Sequence, residues 1–160
     1  MKIKFLPLLF LVLFCACWYS FTLRPYPDIE TVFVEPFTNQ SDRYELSTDI
    51  TEGLISELNS NSLLKLSNRE STHSILSGEV NYFNIEAYTY TSGEEPVDYR
   101  VTIRAKVRFA KAGSEQAFWD STLEGFATYP LDESTKSESQ AINEAVFMLI
   151  GRIVDRLRTG

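Results

Sequence analysis

Cys17 and four cations at alternate positions are the residues of this chain best placed to do chemistry. Cys17 closes the run Phe14-Cys15-Ala16-Cys17, directly after an apolar stretch from Phe5 to Phe14 that only Pro7 interrupts. A thiol in that place can take up diacylglycerol through its sulfur before a signal peptidase cuts ahead of it. The small Ala16 suits the narrow subsite of that peptidase; a cut ahead of Cys15 would present the bulky Phe14 instead. Arg100, Arg104, Lys106 and Arg108 form the second group. On an extended chain, residues two apart lie on one face roughly 6.5–7 Å from each other. Such a row can hold phosphate oxygens through charge-assisted hydrogen bonds. It can equally pair with Asp120 and Glu124 on a neighbouring strand. The sequence leaves both uses open.

Other chemistry finds little footing. His73 is the one histidine, in a Ser- and Thr-rich stretch, and an isolated histidine is most often a hydrogen-bonded surface residue. No serine sits in a nucleophile-elbow pattern, and no Gly-rich phosphate loop or metal-spaced cluster occurs. Glu94-Glu95 reads as a solvated loop pair. The expectation is a protein that is not an enzyme and uses no metal or cofactor.

The N-terminus decides where such a protein works. Lys2 and Lys4 precede the apolar stretch, which at about ten residues is half of what a membrane-spanning helix needs and has the make-up of a signal peptide. Residues 1–16 are therefore expected to be removed, leaving Cys17 as the anchored first residue. Two or three acyl chains of the palmitate class, at roughly 0.8 kcal/mol per buried CH₂, anchor stably where a single chain does not. Trp18-Tyr19-Ser20-Phe21 holds no acid of the kind that favours retention in an inner membrane. The expected location is the outer membrane, lipid-anchored on its periplasmic side. Residues 17–28, with Pro25 and Pro27, read as a tether, and residues 29–160 as one domain. Losing Lys2 and Lys4 takes the formal charge from −7 to −9. So acidic a chain is a poor partner for nucleic acid.

The elements that must position the cations follow from periodicity. Thr31 to Glu35 reads as a first strand stopped by Pro36, and Thr38-Asn39-Gln40-Ser41 as a turn. Asp42 with Glu45 predicts a capped helix whose face carries Leu46, Ile50, Leu54, Ile55 and Leu58. Leu63 to Leu66 is a short extended piece. Ser74 to Tyr90 is a long strand whose alternation slips, predicting a bulge near Tyr82-Phe83. From Tyr99 to Phe109 apolar residues alternate strictly with polar ones, so this strand has one buried and one wet face. Lys111 to Ser114 turns the chain into a fourth strand, Phe118 to Tyr129. Ser137 with Gln140 caps a second helix bearing a wide apolar stripe from Ile142 to Leu157, its end complemented by Arg152, Arg156 and Arg158. The predicted fold is α+β: a β-α-β-β-β-α two-layer sandwich, two helices on one face of a four-stranded mixed sheet.

Several of these segments resemble the LptE family of lipopolysaccharide-assembly lipoproteins. Cys17-Trp18-Tyr19-Ser20-Phe21 is similar to that family's lipidated start, with Trp18 where the family usually has Gly. Ile29 to Asn39 resembles its first strand and Pro-Phe-x-Asn turn, Leu76-Ser77-Gly78-Glu79-Val80 its second strand, and Tyr99 to Ile103 and Phe118-Trp119 its third and fourth. The resemblance implies a non-catalytic plug within the β-barrel LptD that helps insert lipopolysaccharide into the outer leaflet. It also implies lipopolysaccharide binding through basic residues of the sheet, carried here to Arg100 and Arg104 and, more distantly, to Lys106 and Arg108. A lipoprotein activator of a cell-wall synthase shares the Val-x-Pro-Phe-x-Asn pattern and is the alternative.

Overall fold

The computed structural model describes residues 25–61 and 64–160, so Cys17, residues 1–16 and the tether up to residue 24 lie outside the described residues. Strand β1 runs Thr31–Val34 and β2 Thr38–Asn39; helix α1 runs Leu46–Asn61; strands β3 (Lys65–Leu66), β4 (Ser74–Tyr90), β5 (Pro96–Lys111) and β6 (Ala117–Pro130) follow, and helix α2 (Glu138–Thr159) ends the chain. The strands join in one mixed sheet of order β3-β1-β4-β5-β6, with β2 also on β4. β1 pairs parallel with β3 and β4, whereas β4, β5 and β6 form an antiparallel meander.

The α+β class with two helices against a mixed sheet stands, but the sheet has six strands rather than four. The residues expected as a turn, Thr38-Asn39, instead pair parallel with Glu79 and Val80. Lys65-Leu66 joins the outer edge of β1. Two-residue strands are too short to carry a period, which is why the alternation did not mark them.

The long strands follow from residue parity. On β5, Val101, Ile103, Ala105, Val107 and Phe109 are fully buried. β4 pairs Val80 with Ala105 and then Tyr82 with Arg104, so the register skips Asn81. That bulge exchanges the inward parity: Leu76 and Val80 are buried before it, Phe83 and Ile85 pack on the core after it. The slip seen in the sequence is this one extra residue.

Two apolar helix stripes cover the inward face and touch each other. α2 buries Ala141, Ala145, Val146, Leu149, Ile150, Ile153, Val154 and Leu157. Its start is the expected capping box: the Gln140 N–H donates to Ser137 Oγ (3.3 Å) and the Ser137 N–H to Gln140 Oε1 (2.9 Å). β6 lets this helix come close because it carries Gly125, where a Cβ would stand 2.0 Å from the Ala145 carbonyl oxygen. α1 buries Leu46, Ile50, Leu54 and Leu58, but Ile55, expected on the same face, is 41% exposed. The helix also begins at Leu46, so Asp42 and Glu45 make no cap. Asn39 prevents it: its Oδ1 accepts from the Ser41 N–H (2.8 Å) and its Nδ2 donates to the Arg43 carbonyl (2.6 Å), holding this stretch in a side-chain turn.

Candidate functional site

Both helices lie on the inward face, so the opposite face of β4, β5 and β6 is uncovered by any described element. Each row across it is fixed by register. Arg108 lies between Ser77 and Asp120, Lys106 between Glu79 and Thr122, Arg104 between Tyr82 and Glu124, Thr102 between Asn84 and Phe126, and Arg100 between Glu86 and Thr128. The four predicted cations therefore do share one face, as the alternation implied. From Arg100 to Arg108 the row spans about 27 Å at strand rise.

Their environments differ. Arg104 Nε donates to Glu124 Oε2 at 2.5 Å, with its guanidinium carbon 4.5 Å from the Tyr82 ring centroid. The hydrogen bond to Glu124 raises the Arg104 pKa further. Lys106 Nζ reaches Asp120 Oδ2 at 3.9 Å, one row away from the Arg108 that faces Asp120. Arg108 donates to the carbonyl of Glu115 across the β5–β6 turn. Pairing with Asp120 and Glu124 is thus real for Lys106 and Arg104.

Arg100 is held otherwise. Its guanidinium carbon lies 4.0 Å from the Tyr88 ring centroid and 4.5 Å from that of Phe126, between two rings. Its Nε is buried with no hydrogen-bond partner, and among the described residues it makes no ion pair. Each cation–π contact is worth about 0.5–2 kcal/mol, against about 1–3 kcal/mol for a buried polar atom left unmade. The rings therefore fix the cation in place without neutralising it.

Two participants were not visible as such in the sequence. Phe126 comes to Arg100 through the diagonal neighbour relation on a sheet, one row off the directly opposed Thr128. Arg152, expected to serve the end of α2, reaches over the edge of the sheet instead. Its Nη1 donates to the Glu124 carbonyl at 2.5 Å, and its guanidinium carbon is 5.4 Å from the Phe126 ring. Arg156 and Arg158 do occupy the last turn.

The remaining candidates serve structure. His73 Nδ1 accepts the Glu30 N–H at 3.2 Å, and its own N–H donates to Thr31 Oγ1, joining the approach to β4 to β1. Glu94 and Glu95 sit exposed in the β4–β5 loop, where Glu95 O accepts the Thr91 N–H. Among the described residues no group of His, Cys, Asp and Glu is arranged to hold a metal ion, and no helix is long and apolar enough to cross a membrane.

The family model for LptE, described as lipopolysaccharide-assembly, matches residues 29–157. No curated protein matches the sequence. Among solved structures, the hypothetical protein CT253 from Chlamydia trachomatis superposes with a TM-score of 0.61 at 13% identity, covering 81% of this chain and 96% of that one. An uncharacterized lipoprotein B from Nitrosomonas europaea gives 0.54 at 15% identity, covering 81% of each chain. The rare lipoprotein B from Shewanella oneidensis gives 0.51 at 13%, covering 78% of this chain and 92% of that one. At such identities the likeness is one of fold.

Proposed function

The chain belongs to the LptE family of lipopolysaccharide assembly, which is non-catalytic, and from that premise we propose that it is an outer-membrane lipoprotein, anchored through Cys17 on the periplasmic side, that plugs an LptD-like β-barrel and presents the bare sheet face to lipopolysaccharide. The one observation that carries the lipid-binding part is Arg100, held between Tyr88 and Phe126 and making no ion pair among the described residues. A phosphate meeting Arg104 or Lys106 must displace a carboxylate that is already there. A phosphate meeting Arg100 displaces none. The aromatic flanks also restrict the guanidinium before binding, so less freedom is lost on binding. Arg104, Lys106 and Arg108 then act as a secondary track, each exchanging an internal partner for a ligand oxygen.

A plug inside a polar lumen also needs a surface that is wet yet able to pack. Tyr82, Tyr88 and Tyr90 on β4, with the loop at Ser92 to Glu95, offer rings and hydrogen-bonding groups together. Photo-crosslinking from position 88 or 90 in intact cells, followed by mass spectrometry, tests the reading directly. The expected products are adducts to a large outer-membrane barrel and to lipopolysaccharide, with an acylated Cys17 on the processed chain. Recovery of a free, unacylated monomer with neither adduct would refute it.

A further inference from the structure

At the opposite end of the bare face from Arg100, Glu35, Ile75, Ser77, Arg108, Ala110, Lys111 and the turn Gly113–Glu115 line an open surface hollow of about 320 Å³. Small-molecule sites run from roughly 300 to 1,000 Å³, so this one has room for a single compact unit. We propose that it binds an acidic sugar, a pyranose-sized ring bearing a carboxylate.

The walls supply what such a ring needs. Ile75 and Ala110 are cross-strand partners and make an aliphatic floor for the ring's C–H face. Ser77 and Ser114 contribute hydroxyls, and Glu35 and Glu115 contribute carboxylates that accept from sugar hydroxyls. Arg108 is fixed to the Glu115 carbonyl, which aims its guanidinium and leaves further N–H donors unspent. Glu35 is neutralised by Arg69. Arg108, on the same face as Ile75's partner Ala110, makes no ion pair among the described residues, so the site keeps a cation for the ligand's acid group. The rim is held in shape by a turn in which the Ser114 N–H donates to the Lys111 carbonyl (3.1 Å) and Gly113 takes φ +73°. That conformation suits glycine and leaves the wall free of a side chain. Charges of both signs over an apolar floor discriminate against a bare anion, which has no use for Glu35, Glu115, Ile75 or Ala110.

An acidic sugar in this compartment has two sources, the core of a surface glycolipid or a muramic-acid unit of the wall. The proposal stands apart from the role of Arg100, about 27 Å away by strand rise. The test is a nuclear magnetic resonance titration of the processed, full-length protein in detergent micelles, following the amides of Ser77, Lys111, Gly113 and Ser114. Galacturonate is expected to give saturable shifts there. Glucose, and galacturonate added to Arg108→Gln or Arg108→Glu protein, should bind roughly tenfold more weakly, the size of one charge-assisted hydrogen bond. Arg100→Ala should leave the response unchanged even where it weakens lipopolysaccharide binding. De-acylated core oligosaccharide and a muramic-acid fragment then compete, the stronger one naming the source. Equal responses to glucose or to inorganic phosphate, no saturable shift, or indifference to both Arg108 substitutions would overturn the site.

Discussion

The guanidinium of Arg100 rests on the ring of Tyr88, carbon to centroid 4.0 Å, where its neighbour on the same face, Arg104, rests on a carboxylate. Two arginines four residues apart on one strand thus hold their charge in opposite ways, one neutralised and one not. Arg100→Glu should weaken lipopolysaccharide binding by roughly tenfold or more, since a charge-assisted contact worth about 1.5–3 kcal/mol becomes a repulsion. Arg104→Gln should weaken it less, because Glu124 already neutralises that charge in the parent protein. Binding of labelled lipopolysaccharide at two salt concentrations measures both. Equal losses for the two would assign the binding to the row as a whole rather than to the clamped residue.

Tyr88→Ala isolates the clamp from the charge. It keeps Arg100 but removes one of its two flanking rings, and Tyr88 is itself half exposed. Lipopolysaccharide binding should fall several-fold, with little change in the urea midpoint. Tyr88→Phe, which keeps the ring, should behave like the parent. A Tyr88→Phe protein as weak as Tyr88→Ala would show that the hydroxyl matters and the stacking does not.

Glycines on the two sides of α2 make a contrasting pair. At Gly125 a Cβ would stand 2.0 Å from the Ala145 carbonyl and 2.8 Å from Leu149 N, both backbone atoms that cannot step aside. Gly125→Ala must push the helix off the sheet and should cost about 1–3 kcal/mol or more. At Gly151 nothing lies within 4 Å of the added carbon. Gly151→Ala, in mid-helix, should stabilise by up to about 1 kcal/mol. Urea unfolding of the two variants should therefore move in opposite directions from the parent midpoint.

How far the sequence disclosed this fold depends on the length of each element. β5 could be read residue by residue because eleven positions alternate without a break, and α2 because its stripe runs nearly the whole helix. Even the bulge in β4 was visible, as a change of parity between Val80 and Phe83. The two-residue strands were not, since pairing of Thr38-Asn39 with Glu79-Val80 depends on where β4 happens to lie. At the site, the sequence placed four cations on one face but could not rank them. What separates Arg100 from the rest comes from Phe126 on another strand and from carboxylates that reach Arg104 and Lys106 but not it. Those are relations of register and rotamer, and no single strand encodes them.

The two proposed helix caps give a test of the same lesson. Ser137 makes its box and Asp42 does not. Ser137→Ala should cost about 1 kcal/mol, within the usual range of roughly 0.5–2 for losing a cap. Asp42→Ala should leave stability nearly unchanged. Asn39→Ala should cost more than Asp42→Ala, because Asn39 ties Ser41 and Arg43 into the turn that delays α1. Thermal midpoints of the three variants rank them.

Alkaline pH should find the weak point where α2 meets β6. The Tyr129 hydroxyl donates to Glu138 Oε2 at 3.3 Å, while Glu138 Oε1 takes Arg43 Nη2 at 2.5 Å. Burial first, then the negative charge of Glu138, push the Tyr129 phenol above its ordinary value, and burial pushes Tyr26 up as well. In the unfolded chain both titrate near the usual value of about 10. The folded protein thus holds these protons more tightly than the unfolded one. Their contribution to stability is complete below about pH 10 and is lost as pH climbs through the folded values. Urea midpoints should be flat on the approach to that pH and fall beyond it. Glu138→Gln removes the charge that opposes ionisation, so the tyrosinate absorbance step of Tyr129 should move to lower pH, toward the ordinary value. It should not vanish, because burial, the larger cause, remains. A Glu138→Gln protein whose tyrosine titration coincides with the parent's would show that Glu138 does not act on Tyr129 through its charge.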